Sequence, residues 1–241
     1  MSEDSFKDDR PVREVREPLL VLALVVDVSA KMQTEENGIK RIDSLNNAIN
    51  SMIDTINEDA RLRNILELGI FIFGEKDRKH VYQGFRKICD CEKINLQAND
   101  NSTYVVDALN TAVDCLRERI KFHHQYSGGY AYRPYLIFIT DSVFFDYPDD
   151  LNTIAEKVRQ GESEGKLNFF CLGFEESNKT QLEMFTNNSE RVIEVKASNL
   201  AEFFRWLVCD YVPDYVPYVP YVIIDRMEVT PIEIPPLEFY T

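Results

Sequence analysis

No stretch of this sequence is apolar for long enough to cross a bilayer: the longest run, Leu19 to Val26, falls far short of the ~20 residues a spanning helix needs. Positive charge is also scarce. Against 41 acidic residues stand 27 basic ones, a formal net charge of −14, so most of this surface repels a phosphate backbone or an anionic membrane. Neither nucleic acid nor membrane is therefore expected as a partner. The five cysteines (Cys89, Cys91, Cys115, Cys171 and Cys209) include no C-x-x-C pair. Only Cys89 and Cys91 are close, and two thiols do not make the roughly four ligands of a structural zinc, so free thiols and a reducing compartment are expected. Residues 1–18 mix both signs of charge without an apolar stretch, unlike a signal peptide or an anchor, and the expected location is the cytoplasm. Also missing are a G-x-S-x-G elbow, a P-loop and an H-E-x-x-H pair, which removes common hydrolase and nucleotide-binding signatures.

What is present is alternation. Leu19 to Val28 is a continuous β-rich run, the pattern of a strand covered on both faces in a parallel sheet. Ile42, Leu45, Ile49, Met52, Ile53 and Ile56 then recur at steps of three and four, predicting a helix with one buried face. Leu66 to Gly74 returns to strand character. Val105, Leu109, Val113, Leu116 and Ile120 predict a helix over 104–122, with Ser102 or Thr103 as its cap. Strands at Tyr135–Asp141, Leu167–Phe174 and Arg191–Val195 follow, with a helix over 149–159 and a closing helix over 199–208. Strands alternating with helices give an α/β fold, doubly wound, with a mainly parallel central sheet flanked by helices.

The chain divides into a charged N-terminal segment over 1–18, expected to be flexible, a single domain over 19–210, and a tail over 211–241. The tail carries six of the ten prolines and repeats Val-Pro before tyrosine three times. Each proline removes a backbone donor and disfavours helix before it. Tyr211, Tyr215, Tyr218 and Tyr221 are more apolar than a solvated linker needs, so the tail is expected to dock into a groove of a partner or of another copy.

Three strand-to-helix junctions collect polar groups: Asp27 and Ser29 after the first strand, Thr103 before a helix, and Asp141 after a later strand. In a doubly wound sheet such junctions converge on one edge. Two carboxylates and two hydroxyls are hard oxygen donors suited to Mg2+ or Mn2+. The same residue types also cap helices, and spacing alone favours capping.

These residues resemble the metal-ion-dependent adhesion site of von Willebrand factor A (vWA) domains, which has the form D-x-S-x-S, a distant T and a distant D. "DVSAK" supplies Asp27 and Ser29, "NDNSTYVVDAL" supplies Thr103, and "YRPYLIFITDS" supplies Asp141 with an Arg-Pro lead-in. With the closing "AEFFRWL", the chain from Leu19 to Val208 is similar to the bacterial TerY or YegL-type branch, whose members sit in tellurium-resistance and related stress or defence clusters. The resemblance implies a Rossmann-like vWA fold and a non-catalytic protein-protein interaction module. It also implies a site that holds Mg2+ or Mn2+, and partners such as a kinase or phosphatase reached through the strand-end site or the tail.

Two positions depart from the pattern. Ser142 follows Asp141 where glycine is usual, and Lys31 stands at the second serine position. An ammonium has no lone pair to offer a metal. Lys31 either replaces the metal, pairing with Asp27 or Asp141, or points to solvent beside a weakened site. The alternative function is a Mg-dependent phosphohydrolase using Asp27, although such enzymes usually carry a second acid where this chain has Ser29. "FFDYPDD", Phe144 to Asp150, forms either an aromatic rim beside Asp141 or a loop whose Asp149 caps the next helix. His123 and His124 are expected at the surface, in a glycine-bearing loop, and His80 has no partner at metal spacing.

Overall fold

The computed structural model describes residues 18–74, 80–99, 104–126, 131–141, 143–174 and 177–211, the side chains of 126, 210 and 211 excepted. Six strands form the central sheet: β1 (Leu20–Asp27), β4 (Leu66–Phe73), β5 (Val81–Lys87), β6 (Tyr135–Thr140), β7 (Asn168–Phe174) and β8 (Val192–Val195). Their order is β5-β4-β1-β6-β7-β8. Only β5 runs antiparallel, pairing with β4 through an irregular register; the other neighbours are parallel.

β1 is buried over its whole length because both its faces are covered. Leu20, Leu22, Leu24 and Val26 face a core shared with helices α1 (Arg41–Glu58) and α6 (Leu200–Trp206). Val21, Ala23 and Val25 face the other core, with helices α3 (Val106–Tyr126) and α4 (Pro148–Ser163). Period-two alternation therefore serves two apolar layers at once, which is why the strand reads as an unbroken hydrophobic run. Two short helices, α2 (Leu62–Ile65) and α5 (Lys179–Glu183), complete the helical set.

Several elements differ from the sequence expectation. A hairpin, β2 (Glu35–Glu36) and β3 (Ile39–Lys40), precedes α1. Its two-residue loop has positive φ at both Asn37 (54°) and Gly38 (81°), the geometry Asn-Gly favours between antiparallel strands. The edge strand β5 is half exposed and lacks a clean apolar pattern. Residues 91–99 form no regular element but lie along α1, where Asn46 and Asn50 each exchange paired hydrogen bonds with the backbone of Leu96 and Ile94. Two amides one helical turn apart thus stand in for a neighbouring strand.

Helix α3 continues through His123 and His124, so these are helical residues and not part of a loop. His124 is exposed, whereas His123 is buried with Nε2 3.0 Å from Glu67, because a carboxylate on β4 waits one turn beyond Arg119 on the same helix face. The cap expected at α4 also differs. Pro148 is the first helical residue and Tyr147 occupies the cap position without a side-chain bond, so Asp149 lies in the first turn. There its charge faces the positive end of the helix. All five cysteines are free thiols, and Cys89 sits in a 3-10 turn over Ile88–Asp90 with Cys91 just after it. No described helix is long and apolar enough to cross a membrane.

Candidate functional site

The strand order reverses direction at β1, which has β4 on one side and β6 on the other. In open α/β sheets a crevice forms at that switch point, outside the carboxyl ends of the strands. Asp27 is the last residue of β1 and Asp141 follows the last residue of β6. Both are fully buried, so topology alone places the two acids at one edge.

Asp27 is held from two sides. Its Oδ1 accepts the Ser29 backbone N–H at 2.8 Å, and its Oδ2 accepts the Thr140 hydroxyl at 2.8 Å. The first bond is a local turn typical of aspartate; the second ties the end of β1 to the end of β6. Gly74, just past β4, is folded against this turn with φ of 101°. A Cβ at residue 74 would lie 2.5 Å from the Ser29 nitrogen, so only glycine fits the approach.

Asp141 is held by an arginine. Nη1 of Arg41, the first residue of α1, lies 3.3 Å from Asp141 Oδ2. The same guanidinium donates Nε to Glu36 Oε1 at 2.7 Å and stands 5.0 Å from the centre of the Phe174 ring, at the end of β7. The other Glu36 oxygen accepts the backbone N–H of Ala197, after β8, at 2.9 Å. One arginine, 2 % exposed, therefore links the hairpin, β6, β7 and, through Glu36, the connection into α6.

Of the residues predicted for the site, Asp27, Ser29 and Asp141 are brought together and all are buried. Lys31 is exposed in the 3-10 turn Ala30–Gln33 and has no ion pair among the described residues. The cation at Asp141 is Arg41, not Lys31, because the turn carries Lys31 outward while the hairpin returns the chain to the sheet edge. Thr103 lies outside the described residues, as do Ser142, Tyr215, Tyr218 and Tyr221; the side chain of Tyr211 is likewise not described. Arg41, Glu36, Thr140 and Gly74 were missed by the sequence reading.

The donor set can be tested against a divalent ion. An ion bound to either Asp141 oxygen at ~2.1 Å would stand within about 8 Å of the Arg41 nitrogen. Arg41 already offsets the charge of Asp141, and at an effective dielectric near 20 it adds repulsion on the order of 4 kcal/mol against a +2 ion, set against the attraction of the carboxylates. One ligand position holds a lysine, and both Asp27 oxygens already accept protein hydrogen bonds. The described residues do not fit the divalent ion of the resembled family.

Beside the acids lies an aromatic rim. Asp146, in the loop after β6, accepts the backbone N–H groups of Val105 at 2.8 Å and Val106 at 3.1 Å, capping α3 from a distant part of the chain. Burial pushes the Asp146 carboxyl up, against the hydrogen bonds and the helix end that favour its charged form. The cap ties the residue after Tyr104 to the acid between Phe145 and Tyr147, and these three side chains are 57 %, 67 % and 79 % exposed. Phe144, next to Phe145 in the chain, is buried against Phe138 and Phe185, so the loop that carries Phe145 and Tyr147 is packed onto the core.

Compared by sequence, the chain matches no family model and no curated protein. By structure it is similar to the vWF domain of the type V pili tip protein Mfa5 from Porphyromonas gingivalis, at 11 % identity over 90 % of this chain and 99 % of that one, with a TM-score of 0.60. The pilus adhesin SpaC from Lactobacillus rhamnosus GG aligns at 12 % identity over 83 % of this chain with a TM-score of 0.60, and this chain spans 31 % of the adhesin. The SpRpn10 VWA domain aligns at 12 % identity over 77 % and 93 % of the two chains, with a TM-score of 0.51. Together with the six-stranded, mostly parallel sheet, these similarities show a vWA-type fold.

Proposed function

We propose that this protein is a non-catalytic protein-protein interaction module of the vWA type with a degenerate adhesion site, binding its partner at the carboxyl edge of the sheet. The observation that carries this reading is the set of Tyr104, Phe145 and Tyr147, three large aromatic side chains left in solvent, two of them in the loop that follows Asp141 at the carboxyl end of β6. Aromatic residues are enriched where one protein anchors in another, and a rigid base reduces the ordering cost of binding. Two structural neighbours are named for adhesion or for a pilus tip, which agrees with a binding role for this fold. The resemblance to the TerY and YegL-type branch extends the proposal to a kinase or phosphatase partner in a tellurium-resistance-like stress or defence system, in the cytoplasm.

A catalytic role for Asp27 is not proposed. It is fully buried and both its oxygens are engaged, whereas a phosphoryl acceptor needs an oxygen that reaches substrate in line. The test places photo-crosslinking residues at Phe145 and at Tyr147 in the producing cell, with Glu118 at the far end of α3 as control. A discrete adduct from the two rim positions and none from Glu118 is expected. Equal yields, or no adduct at the rim, would reject the reading, and turnover of a generic phosphate ester that Asp27→Asn abolishes would replace it with hydrolysis.

A further inference from the structure

Among the described residues, the donors at the sheet edge do not fit a divalent ion, yet two buried acids still have to be held there. We infer that Arg41 is the resident cation of this site, fixing the strand ends by its own contacts in place of a metal, so that the site keeps its shape whether or not divalent ions are present. This rests on the reading of the sheet edge as a degenerate adhesion site, but not on the identity of any partner.

Three features of Arg41 carry the inference. Its position is central: the guanidinium reaches Glu36 at 2.7 Å, Asp141 at 3.3 Å and the face of Phe174 at 5.0 Å, and so ties the β2–β3 hairpin to the carboxyl ends of the paired strands β6 and β7. Its environment is dry, at 2 % exposure. A planar fork stacked on an aromatic face and bonded along its edge uses geometry that lysine cannot reproduce. Its charge is also permanent, since an arginine is not deprotonated in a protein. An ion's charge at this place would vary with metal supply, whereas this one is encoded.

The hairpin explains how an arginine arrives there. Asn37 and Gly38 turn the chain back at once, so Arg41 follows only five residues after Glu36 and enters α1 pointing at the strand ends. Lys31, ten residues earlier, occupies the position of a metal ligand in the sequence pattern but stays in solvent. The two substitutions are thus separable: one removes a ligand, and the other supplies a charge.

The test uses the full chain. Mn2+ binding is followed by electron paramagnetic resonance, and Tm is measured in excess EDTA and in excess Mg2+ or Mn2+, for wild type, Lys31→Ser and Arg41→Gln. Wild type is expected to bind no Mn2+ and to show the same Tm in all three conditions. Lys31→Ser, which restores the serine while leaving Arg41, is expected to remain silent to metal. Arg41→Gln is expected to lower Tm by roughly 10 °C or to prevent folding. Stoichiometric Mn2+ binding by wild type overturns the inference; so does binding by Lys31→Ser, which would make the missing serine the sole obstacle. An unchanged Tm in Arg41→Gln also overturns it. If all three arms behave as expected while crosslinking from Phe145 and Tyr147 fails, the interaction reading falls and the arginine-held site stands.

Discussion

Glu67 and Asp141 are both buried carboxyls held by an arginine, one at the amino end of the sheet and one at the carboxyl end. Glu67 pairs in register with Val21, while Asp27 closes β1 six residues later, about 20 Å along the strand. At the amino end, Arg119 grips Glu67 with two bonds of 2.7 and 2.6 Å and His123 adds a third contact at 3.0 Å. Both partners sit on α3, one turn apart, so the cluster fastens one helix to one strand. At the carboxyl end Arg41 gathers groups from four places in the fold. A contact between two elements is a bolt, and losing it loosens one joint; a hub that several chain ends share sets the shape of a surface. The hub lies at the switch-point crevice, where this fold class binds ligands, and the bolt does not.

The sharpest way to test that difference is to remove the group that each cluster is built around, the cation at the hub and the acid at the bolt. Arg41→Gln leaves the fully buried Asp141, and the partly exposed Glu36, without their guanidinium, and the expected loss is about 3–5 kcal/mol in urea unfolding. Glu67→Gln should cost less, about 2 kcal/mol, because Arg119 is 28 % exposed and can turn its charge into water. Equal costs would erase the distinction between hub and bolt.

The bolt also has a pH signature. Burial alone would raise the Glu67 carboxyl, but hydrogen bonds and charge from Arg119 and His123 outweigh it and hold the group below its ordinary value of 4.5. A carboxyl lowered in the folded state adds stability above its unfolded pKa, and that stability is lost as the pH falls through the folded value. Stability curves of wild type and Glu67→Gln should therefore run apart at neutral pH and converge as acid is added below about 4.5. Curves that stay parallel through that range would show that the cost of the substitution is packing and not charge.

A smaller effect is expected at Gly74, which belongs to the hub only through the backbone. Gly74→Ala adds a Cβ against the Ser29 nitrogen at positive φ, and about 1–3 kcal/mol should be lost. The displaced turn is the one that presents Asp27, so crosslinking at the rim would show whether the loss stays local.

Most of the scaffold was legible because it rests on periodicity. The two-faced β1 and the three-and-four spacing of α1 and α3 follow from burial alone. Asp27 and Asp141 were legible too, since an acid directly after an apolar strand is an unusual ending. Arg41 was not. It opens a helix in a charged stretch, where a basic residue ordinarily signals nothing, and its burial depends on a sheet edge assembled from residues 100 positions apart. A clue did exist in "ENGIK", since Asn-Gly between short extended segments marks a hairpin. His123 was missed for a similar reason: its environment is set by Glu67, 56 residues away, and local sequence places a pair of adjacent histidines at the surface.

The smallest predicted effect closes the comparison. Lys31 holds the sequence position of a ligand, yet its side chain is exposed and makes no ion pair among the described residues. Lys31→Ser should change stability by no more than about 0.5 kcal/mol in urea unfolding. An ammonium already in water loses no desolvated partner when it is removed, whereas the guanidinium of Arg41 leaves two carboxyls behind. A cost above about 1 kcal/mol for Lys31→Ser would mean that this lysine does act on the acid cluster, so that the positive charge of the site is shared between two residues and the hub extends into the turn after β1.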